Sequence, residues 1–169
     1  DAFSAFGMNA SGLKKVIISG GPGSFTGLRI GFSVAKGIAL GQNLPLFKIN
    51  TLDAIAYEML PVLKEGDFCN IFMKINKKEV YFRRFQKIEN FYKFVTGLEI
   101  IENEAATGLI IPGDFVTGNF EINHERFVHK NFPSPLTLAL LSTNESAEQV
   151  EDDDFLEPDY IKEFTIVRK

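Results

Sequence analysis

The chain of 169 residues carries 45% hydrophobic and 24% charged residues, a composition typical of a soluble globular protein with one domain or two small lobes. The net charge of −4 is unevenly distributed, because residues 145–159 hold eight acids and no lysine or arginine, which leaves the rest of the chain mildly basic. This charge balance fits a protein that works in a complex with nucleic acid. It lacks the strong positive charge that is typical of a dedicated nucleic-acid-binding protein.

The single cysteine, Cys69, excludes an internal disulfide and lies in an apolar run, so we predict a buried and unreactive thiol. No apolar stretch is long enough to cross a bilayer, and no signal-peptide pattern is present. We therefore expect a cytoplasmic location and no membrane partner.

The first part of the chain alternates strands and helices. Residues 2–9 are typical of a helix end that Gly12 stops, and because residue 1 is not Met, we expect the chain to be truncated at its N-terminus. Residues 14–19 predict a strand, 20–23 a turn, 24–41 a helix and 45–49 a second strand. Thr51 is predicted to cap a helix that ends near Leu60, before Pro61. This order predicts an α/β fold with a parallel pair of strands.

The second part of the chain begins after Gly66 and is richer in strands. Residues 68–75 and 79–86 predict a hairpin around the polar turn 76–78. Further strands are predicted near residues 114–118 and 126–129, followed by a helix over 135–142. We interpret the acidic segment 145–154 as a solvated linker or helix face.

The glycine-rich turn between the first strand and the first helix has two interpretations. Backbone N–H groups of Gly21, Gly23 and Ser24 are candidates for binding a nucleotide phosphate at the start of the helix. The spacing of a P-loop fails, because no Lys-Ser or Lys-Thr follows Gly27, and the dinucleotide-binding spacing fails by one residue. The turn therefore favours a tight strand-to-helix connection over a phosphate site.

Small residues recur along the predicted helix at a spacing of four. They are Gly23, Gly27, Gly31, Ala35 and Ala39. Each interior glycine costs a helix about 0.8–1 kcal/mol relative to alanine, so close packing against a neighbouring element must offset that cost. The spacing leaves open whether the neighbour belongs to this chain or to a partner subunit.

The predicted hairpin carries a basic cluster. Its members are Lys74, Lys77, Lys78, Arg83, Arg84 and Lys87. One hypothesis is an RNA-phosphate contact through Lys77, Lys78, Arg83 and Arg84. The alternative, a solvated strand edge that discourages aggregation, is slightly favoured because no base-reading array accompanies the charges.

Neither a metal site nor a catalytic motif is predicted. The two histidines, His124 and His129, are five residues apart and do not share a helix or strand face. No G-x-S-x-G pattern marks a nucleophilic serine.

Several motifs together resemble the TsaB (YeaZ) family. Residues 21–31 read GPGSFTGLRIG, and the similarity continues through residues 35–39 (AKGIA), 51–56 (TLDAIA), 79–81 (EVY) and 157–162 (EPDYIK). The first block is the most specific of the five, and the other four follow it in the family's order. Residues 87–150 match the family more loosely.

The resemblance implies an α/β fold of the actin-like, sugar-kinase-like (ASKHA) class with RNase H-like lobes. We assign residues 1–50 to a partial N-terminal lobe with the dimerisation helix, 51–157 to a second α/β lobe and 158–169 to a C-terminal tail. Positions Lys74, Asn76 and Lys78 depart from the Asp, Arg and Gly that the family often carries there.

The resemblance also implies a non-catalytic subunit that supports a TsaD-like catalytic paralogue. With a TsaE-like ATPase, the complex transfers a threonylcarbamoyl group to the tRNA adenosine beside the anticodon. ATP and metal are then expected in the partner subunits, tRNA is met through the complex, and a homodimer is a further expectation. The expected partner-binding residues are Gly23, Gly27, Arg29, Gly31, Phe32, Ala35 and Ala39. The alternative hypothesis is an independent nucleotide-binding actin-like ATPase.

Overall fold

The computed structural model describes residue 7 and residues 10–143, 148–149 and 157–159. The helices of this part are α1 (Phe25–Gln42), α2 (Thr51–Met59) and α3 (Pro135–Leu141), with 3-10 segments at Ala10–Gly12 and Asn103–Leu109. The strands are β1 (Val16–Gly21), β2 (Leu46–Asn50), β3 (Phe68–Lys74), β4 (Glu79–Ile88), β5 (Phe91–Phe94), β6 (Glu99–Glu102), β7 (Phe115–Gly118), β8 (Phe127–His129) and β9 (Glu148–Gln149). The predicted helix end over residues 2–9 lies, except for Gly7, outside the described residues.

The first sheet has the strand order β1-β2-β9 within the described residues. β1 and β2 are parallel, which confirms the predicted strand–helix–strand unit, and β9 runs antiparallel to β2. The predicted boundary at residue 50 falls at the end of β2, although β9 returns to this sheet from within 51–157. The interpretation of 145–154 as a linker or helix face is wrong for Glu148–Gln149, because the backbone of these residues pairs with β2; residues 144–147 and 150–156 lie outside the described part.

Helices cover both faces of the first sheet, because successive residues of each strand point to opposite sides. On one face, α1 buries Phe32 and Ala39 against Leu46. On the other face, Ile49 packs with Ala54 of α2 and Leu141 of α3. The first sheet therefore uses one side of α1 for its core and leaves the opposite side of that helix uncovered by it.

Capping residues set the ends of α1 and α2. The Ser24 side chain accepts a hydrogen bond from the Gly27 N–H at 3.3 Å, and Asn43 ends α1 in the left-handed conformation with φ 50°. The prediction of Thr51 as the cap of α2 is wrong. Asn50 holds that position, since its Oδ1 accepts from the Leu52 N–H at 2.9 Å, whereas Thr51 is the first helical residue.

The second sheet has the order β5-β4-β3-β7-β8, and β6 pairs with the other end of β4. The antiparallel pairing of β3 with β4 confirms the predicted hairpin. Asn76 fixes the turn, because its Oδ1 accepts from the N–H groups of Lys78 at 2.7 Å and Glu79 at 3.0 Å. The hairpin tip is therefore a rigid, hydrogen-bonded turn.

Close backbone packing joins β7 to β3. Gly118 has φ +124°, and a Cβ atom there would lie 1.9 Å from the Phe72 carbonyl oxygen. Apolar clusters cover both faces of the sheet, one of them shared with α2. Cys69 belongs to the cluster under α2, where burial and the nearby Asp114 raise the pKa of its thiol well above the ordinary value, which confirms the predicted buried thiol.

Candidate partner-binding face

The side of α1 that points away from the first sheet exposes large apolar side chains. Ile30 is 61% exposed, Val34 is 56% exposed and Leu40 is 79% exposed. By helical periodicity the two charged residues of α1, Arg29 and Lys36, lie at the border between this side and the buried side. The exposed side therefore carries apolar residues together with the uncharged Thr26 and Ser33, and the exposed Arg29 lies at its margin near Leu40.

Glycines alternate with the apolar side chains on this side of α1. Gly27, Gly37 and Gly41 are exposed, and a Cβ atom at Gly37 or Gly41 would meet no atom within 4 Å. A glycine in a helix interior costs about 1 kcal/mol relative to alanine. Within the described residues no contact at Gly37 offsets this cost. We call the surface formed by Gly27, Ile30, Val34, Gly37, Leu40 and Gly41 the α1 face.

The predicted row of small residues does not follow this face. Because four residues advance an α-helix by about 400°, a row with a spacing of four rotates by about 40° at each step and winds towards the sheet. Phe32, Ala35 and Ala39 are only 3%, 7% and 0% exposed and pack in this chain's own core. Their predicted role in partner contact is therefore wrong.

For the four other predicted partner-binding residues, contact with a partner stays a prediction. They are Gly23, Gly27, Arg29 and Gly31. Gly31 lies at the margin, since a Cβ atom there would be 3.4 Å from Cδ1 of Ile18 on β1. Sequence reasoning missed Ile30, Val34, Gly37 and Leu40. The 3-4-3-4 spacing of Gly27, Ile30, Val34, Gly37 and Gly41 is a signal that could have found Ile30, Val34 and Gly37, but not Leu40.

The glycine-rich turn lies at the junction of β1 and α1. Gly21 has φ +111°, a conformation that suits glycine, and its peptide bond to Pro22 is cis. The Ser24 hydroxyl oxygen is the N-cap of α1, and the Gly20 carbonyl accepts a hydrogen bond from the N–H of Asp159 at 2.9 Å. Nucleotide binding at Gly21, Gly23 and Ser24 stays a prediction.

The arginines of the basic cluster bind groups of the second sheet. Arg84 pairs with Asp114 at 2.9 Å, and its side chain and that of Asp114 are only 17% and 6% exposed. The guanidinium carbon of Arg83 lies 3.4 Å from the centroid of the Phe94 ring, and burial lowers the pKa of Arg83, an effect that Asp53 opposes. The guanidinium groups of both arginines thus have partners within the sheet, and their RNA contact stays a prediction.

The lysines of the basic cluster differ from one another. Lys87 donates from Nζ to the carbonyls of Leu60 and Leu63 at 2.8 Å, which satisfies acceptors just after α2. Lys77 and Lys78 are exposed at the hairpin tip. Their RNA contact stays a prediction.

A polar pair joins α2 to β5 beside Arg83. The Tyr92 hydroxyl donates to Asp53 Oδ1 at 2.7 Å. Burial and this hydrogen bond raise the pKa of Tyr92 far above its ordinary value, so the phenol stays protonated as a donor. The pair is a structural link between the first turn of α2 and the edge of the second sheet.

No metal site emerges from the part of the chain that the structure describes, since no group of three metal-ligating side chains occurs in it. His124 Nδ1 accepts a hydrogen bond from the Arg126 N–H at 3.2 Å. In the same part of the chain, no helix is both long and apolar enough to cross a membrane.

Curated relatives carry names that agree with the family resemblance. The chain is 32% identical over 92 residues to the tRNA threonylcarbamoyladenosine biosynthesis protein TsaB of Escherichia coli, a match that covers 53% of this chain and 38% of the relative. It is 30% identical over 104 residues to TsaB of Haemophilus influenzae, covering 60% of this chain and 44% of the relative. The family model described as TsaD, tRNA N6-adenosine threonylcarbamoyltransferase, matches residues 1–155. The chain belongs to the TsaD family, and the two curated relatives above carry the name TsaB.

Solved structures share the fold of this chain. A Pseudomonas aeruginosa protein described as similar to the peptidase YeaZ superposes with a TM-score of 0.70 at 19% identity, covering 96% of this chain and 80% of that chain. This likeness and the TsaD family match confirm the predicted α/β, actin-like fold. The matched regions span less than half the length of both TsaB relatives, at 38% and 44%.

Proposed function

We propose that this chain is a non-catalytic subunit that supports a TsaD-like threonylcarbamoyl transferase in modifying the tRNA adenosine beside the anticodon. The observation that carries the proposal is the α1 face, which exposes Ile30, Val34 and Leu40 and has free space next to Gly37. The names of the TsaB relatives support the pathway, since they are called tRNA threonylcarbamoyladenosine biosynthesis proteins.

The chemistry of the α1 face suits a helix of a partner subunit. Fully burying a side chain such as those of Ile30, Val34 and Leu40 is worth about 1.5–3 kcal/mol each. The bare backbone at Gly37 lets a partner helix approach closely, which compensates for the low helix propensity of glycine. A TsaD-like catalytic subunit is the proposed occupant, and a second copy of this chain could use the same face in a homodimer.

In this proposal the partners supply the chemistry. The TsaD-like subunit and a TsaE-like ATPase hold the metal and ATP, and tRNA binds through the assembled complex. This chain contributes a binding surface and no cofactor of its own, and it acts in the cytoplasm.

The test is association with the TsaD-like protein of the same organism, measured by size-exclusion chromatography with light scattering. Gly37→Leu places a branched side chain on the α1 face, and we expect it to weaken a one-to-one complex by about a hundredfold or more. Gly31→Leu is a poorer choice, because its Cβ atom would already touch Ile18 at 3.4 Å, so the variant would also change packing inside this chain.

Gly97→Leu is the matched control for this test. Gly97 is also exposed, and a Cβ atom there would meet nothing within 4 Å, but it lies on the second sheet's side of the chain. We expect this variant to bind as the wild type does. Equal binding by the Gly37→Leu variant, with its fold intact by circular dichroism, would falsify the assignment of the α1 face.

A further inference from the structure

The segment containing Pro158 and Asp159 lies on the glycine-rich turn between β1 and α1. The Asp159 N–H donates to the Gly20 carbonyl oxygen at 2.9 Å. Lys48 Nζ on β2 donates to Asp159 Oδ1 at 3.0 Å, across 111 residues of sequence. Pro158 is buried, while the neighbouring Glu157 is exposed. A backbone hydrogen bond, an ion pair and the burial of Pro158 thus hold this short segment on the turn.

The two glycines of the turn leave the space that this segment and its lysine occupy. A Cβ atom at Gly20 would lie 2.5 Å from Cγ of Lys48 and 3.4 Å from Oδ2 of Asp159. A Cβ atom at Gly21 would lie 3.3 Å from the Asp159 carbonyl oxygen. The absence of side chains at these positions therefore serves contact with the chain's own C-terminal segment.

The ion pair is sheltered from solvent on the lysine side. The Lys48 side chain is 16% exposed and that of Asp159 is 33% exposed. Partial desolvation strengthens the attraction between the two charges relative to a fully exposed surface pair. Asp159 thus supplies negative charge beside the same turn that the sequence offered as a phosphate site.

The geometry points to an intramolecular latch, in which Pro158 and Asp159 close on the Gly20–Gly21 turn and hold the start of α1 in place. The ligand of the glycine-rich turn is then an acidic segment of this chain instead of a nucleotide phosphate. Because α1 begins at Phe25, four residues after Gly21, the latch also fixes where the α1 face begins.

Hydrogen exchange of the full chain, followed by mass spectrometry, tests the latch. Asp159→Ala and Lys48→Met should each speed exchange of the amides in residues 20–28 by at least about tenfold, because both remove the ion pair that keeps the turn closed. The double variant should exchange about as fast as either single variant, since the two residues act through one contact. Amides of the β3–β4 hairpin should keep their wild-type rates, which checks that each variant is folded.

Glu157→Ala is the matched control, because it removes the same charge from an exposed neighbour. It should leave exchange in residues 20–28 unchanged. If Asp159→Ala unfolds the chain, Asp159→Asn keeps a side-chain oxygen that can accept from Lys48 Nζ while it removes the charge, and it should give a smaller increase in the same amides. The latch is overturned if the Asp159 variants match Glu157→Ala, or if the Lys48 and Asp159 effects simply add.

The link from the latch to the α1 face rests on the proposed function and has its own measurement. Asp159→Ala should weaken binding of the TsaD-like partner several-fold relative to Glu157→Ala. Unchanged partner affinity alongside faster exchange would overturn this link and leave the latch standing. A wild-type chain that binds no such partner would count against the proposed function, while the exchange experiment would still decide on the latch.

Discussion

Helix α1 and the basic β3–β4 hairpin use their side chains in opposite ways. α1 leaves Ile30 and Val34 largely exposed, although both are apolar. The hairpin draws the charged groups of Arg83 and Arg84 against aromatic rings and Asp114. The difference follows from position, because α1 has the first sheet on one side only, whereas β4 is an interior strand with apolar clusters on both faces.

Residue type alone does not locate a binding surface in this chain. A basic cluster can be part of a sheet's internal structure when each guanidinium finds an aromatic ring or a carboxylate. An apolar helix face that the chain itself leaves open is more informative, because the hydrophobic effect favours covering it.

The largest effect on stability is expected at the internal ion pair of the second sheet. Asp114→Ala removes the acceptor of both Arg84 and the buried amide of Asn70, which should lower the free energy of unfolding by about 3–5 kcal/mol. Urea denaturation measures the change. The double variant Asp114→Ala/Arg84→Met should recover part of the loss, since it leaves no unpaired charge. A single variant as stable as the wild type would show that the pair is dispensable.

A smaller effect is expected where the two sheets are tied together. Lys130, just after β8, pairs with Glu58 of α2 at 2.8 Å, and the Ser134 N–H also donates to Glu58. Burial raises the pKa of Glu58, but these hydrogen bonds and one from Thr137 outweigh it, so the folded pKa lies below the ordinary value.

This lowered pKa gives a stabilisation that is present above the unfolded pKa and is lost as pH falls through the folded one. Glu58→Gln should therefore be less stable than the wild type by about 2 kcal/mol near pH 7, the scale of hydrogen bonds to a charged group. The gap should narrow as pH falls below the unfolded pKa of about 4.3. Thermal unfolding from pH 7 to pH 3 measures it, and a gap of constant size would contradict the assignment.

The exposed glycine of α1 predicts a gain in stability. Gly37→Ala should raise the free energy of unfolding of the isolated chain by about 1 kcal/mol, because a Cβ atom fits there and alanine favours the helix. Gly118→Ala is the contrasting variant and should destabilise, since its Cβ would overlap the Phe72 carbonyl at a positive φ. Loss of stability at Gly37 would mean that the glycine serves the fold of this chain.

The smallest effect is expected at the hairpin tip. Lys77→Gln and Lys78→Gln should change the free energy of unfolding by less than about 0.5 kcal/mol, because both side chains are exposed. Chemical denaturation of the double variant checks this. A larger loss of unfolding free energy would show that these lysine side chains also stabilise the second sheet, as those of Arg83 and Arg84 do.

The regular elements were predictable where the pattern is long or the turn chemistry is strong. The predicted helix over 24–41 agrees with the observed α1 to within one residue at each end. The agreement is close because glycine and serine mark the start of the helix and Asn43 marks its end. β5 and β6 were missed. Each has four residues, and each is held by pairing with β4, so its stability comes from a strand distant in sequence.

By itself the sequence determined the parallel strand–helix–strand unit, the hairpin and the family resemblance, because these depend on local spacing and turn chemistry. It did not determine which side of α1 is covered, since the apolar and small residues of this helix occur on every side of it. Only the positions of β1 and β2 bury Phe32, Ala35 and Ala39 and leave Ile30, Val34 and Gly37 in solvent. The contact of Asp159 with Gly20 was also decided by tertiary structure, because it joins residues that no local pattern relates.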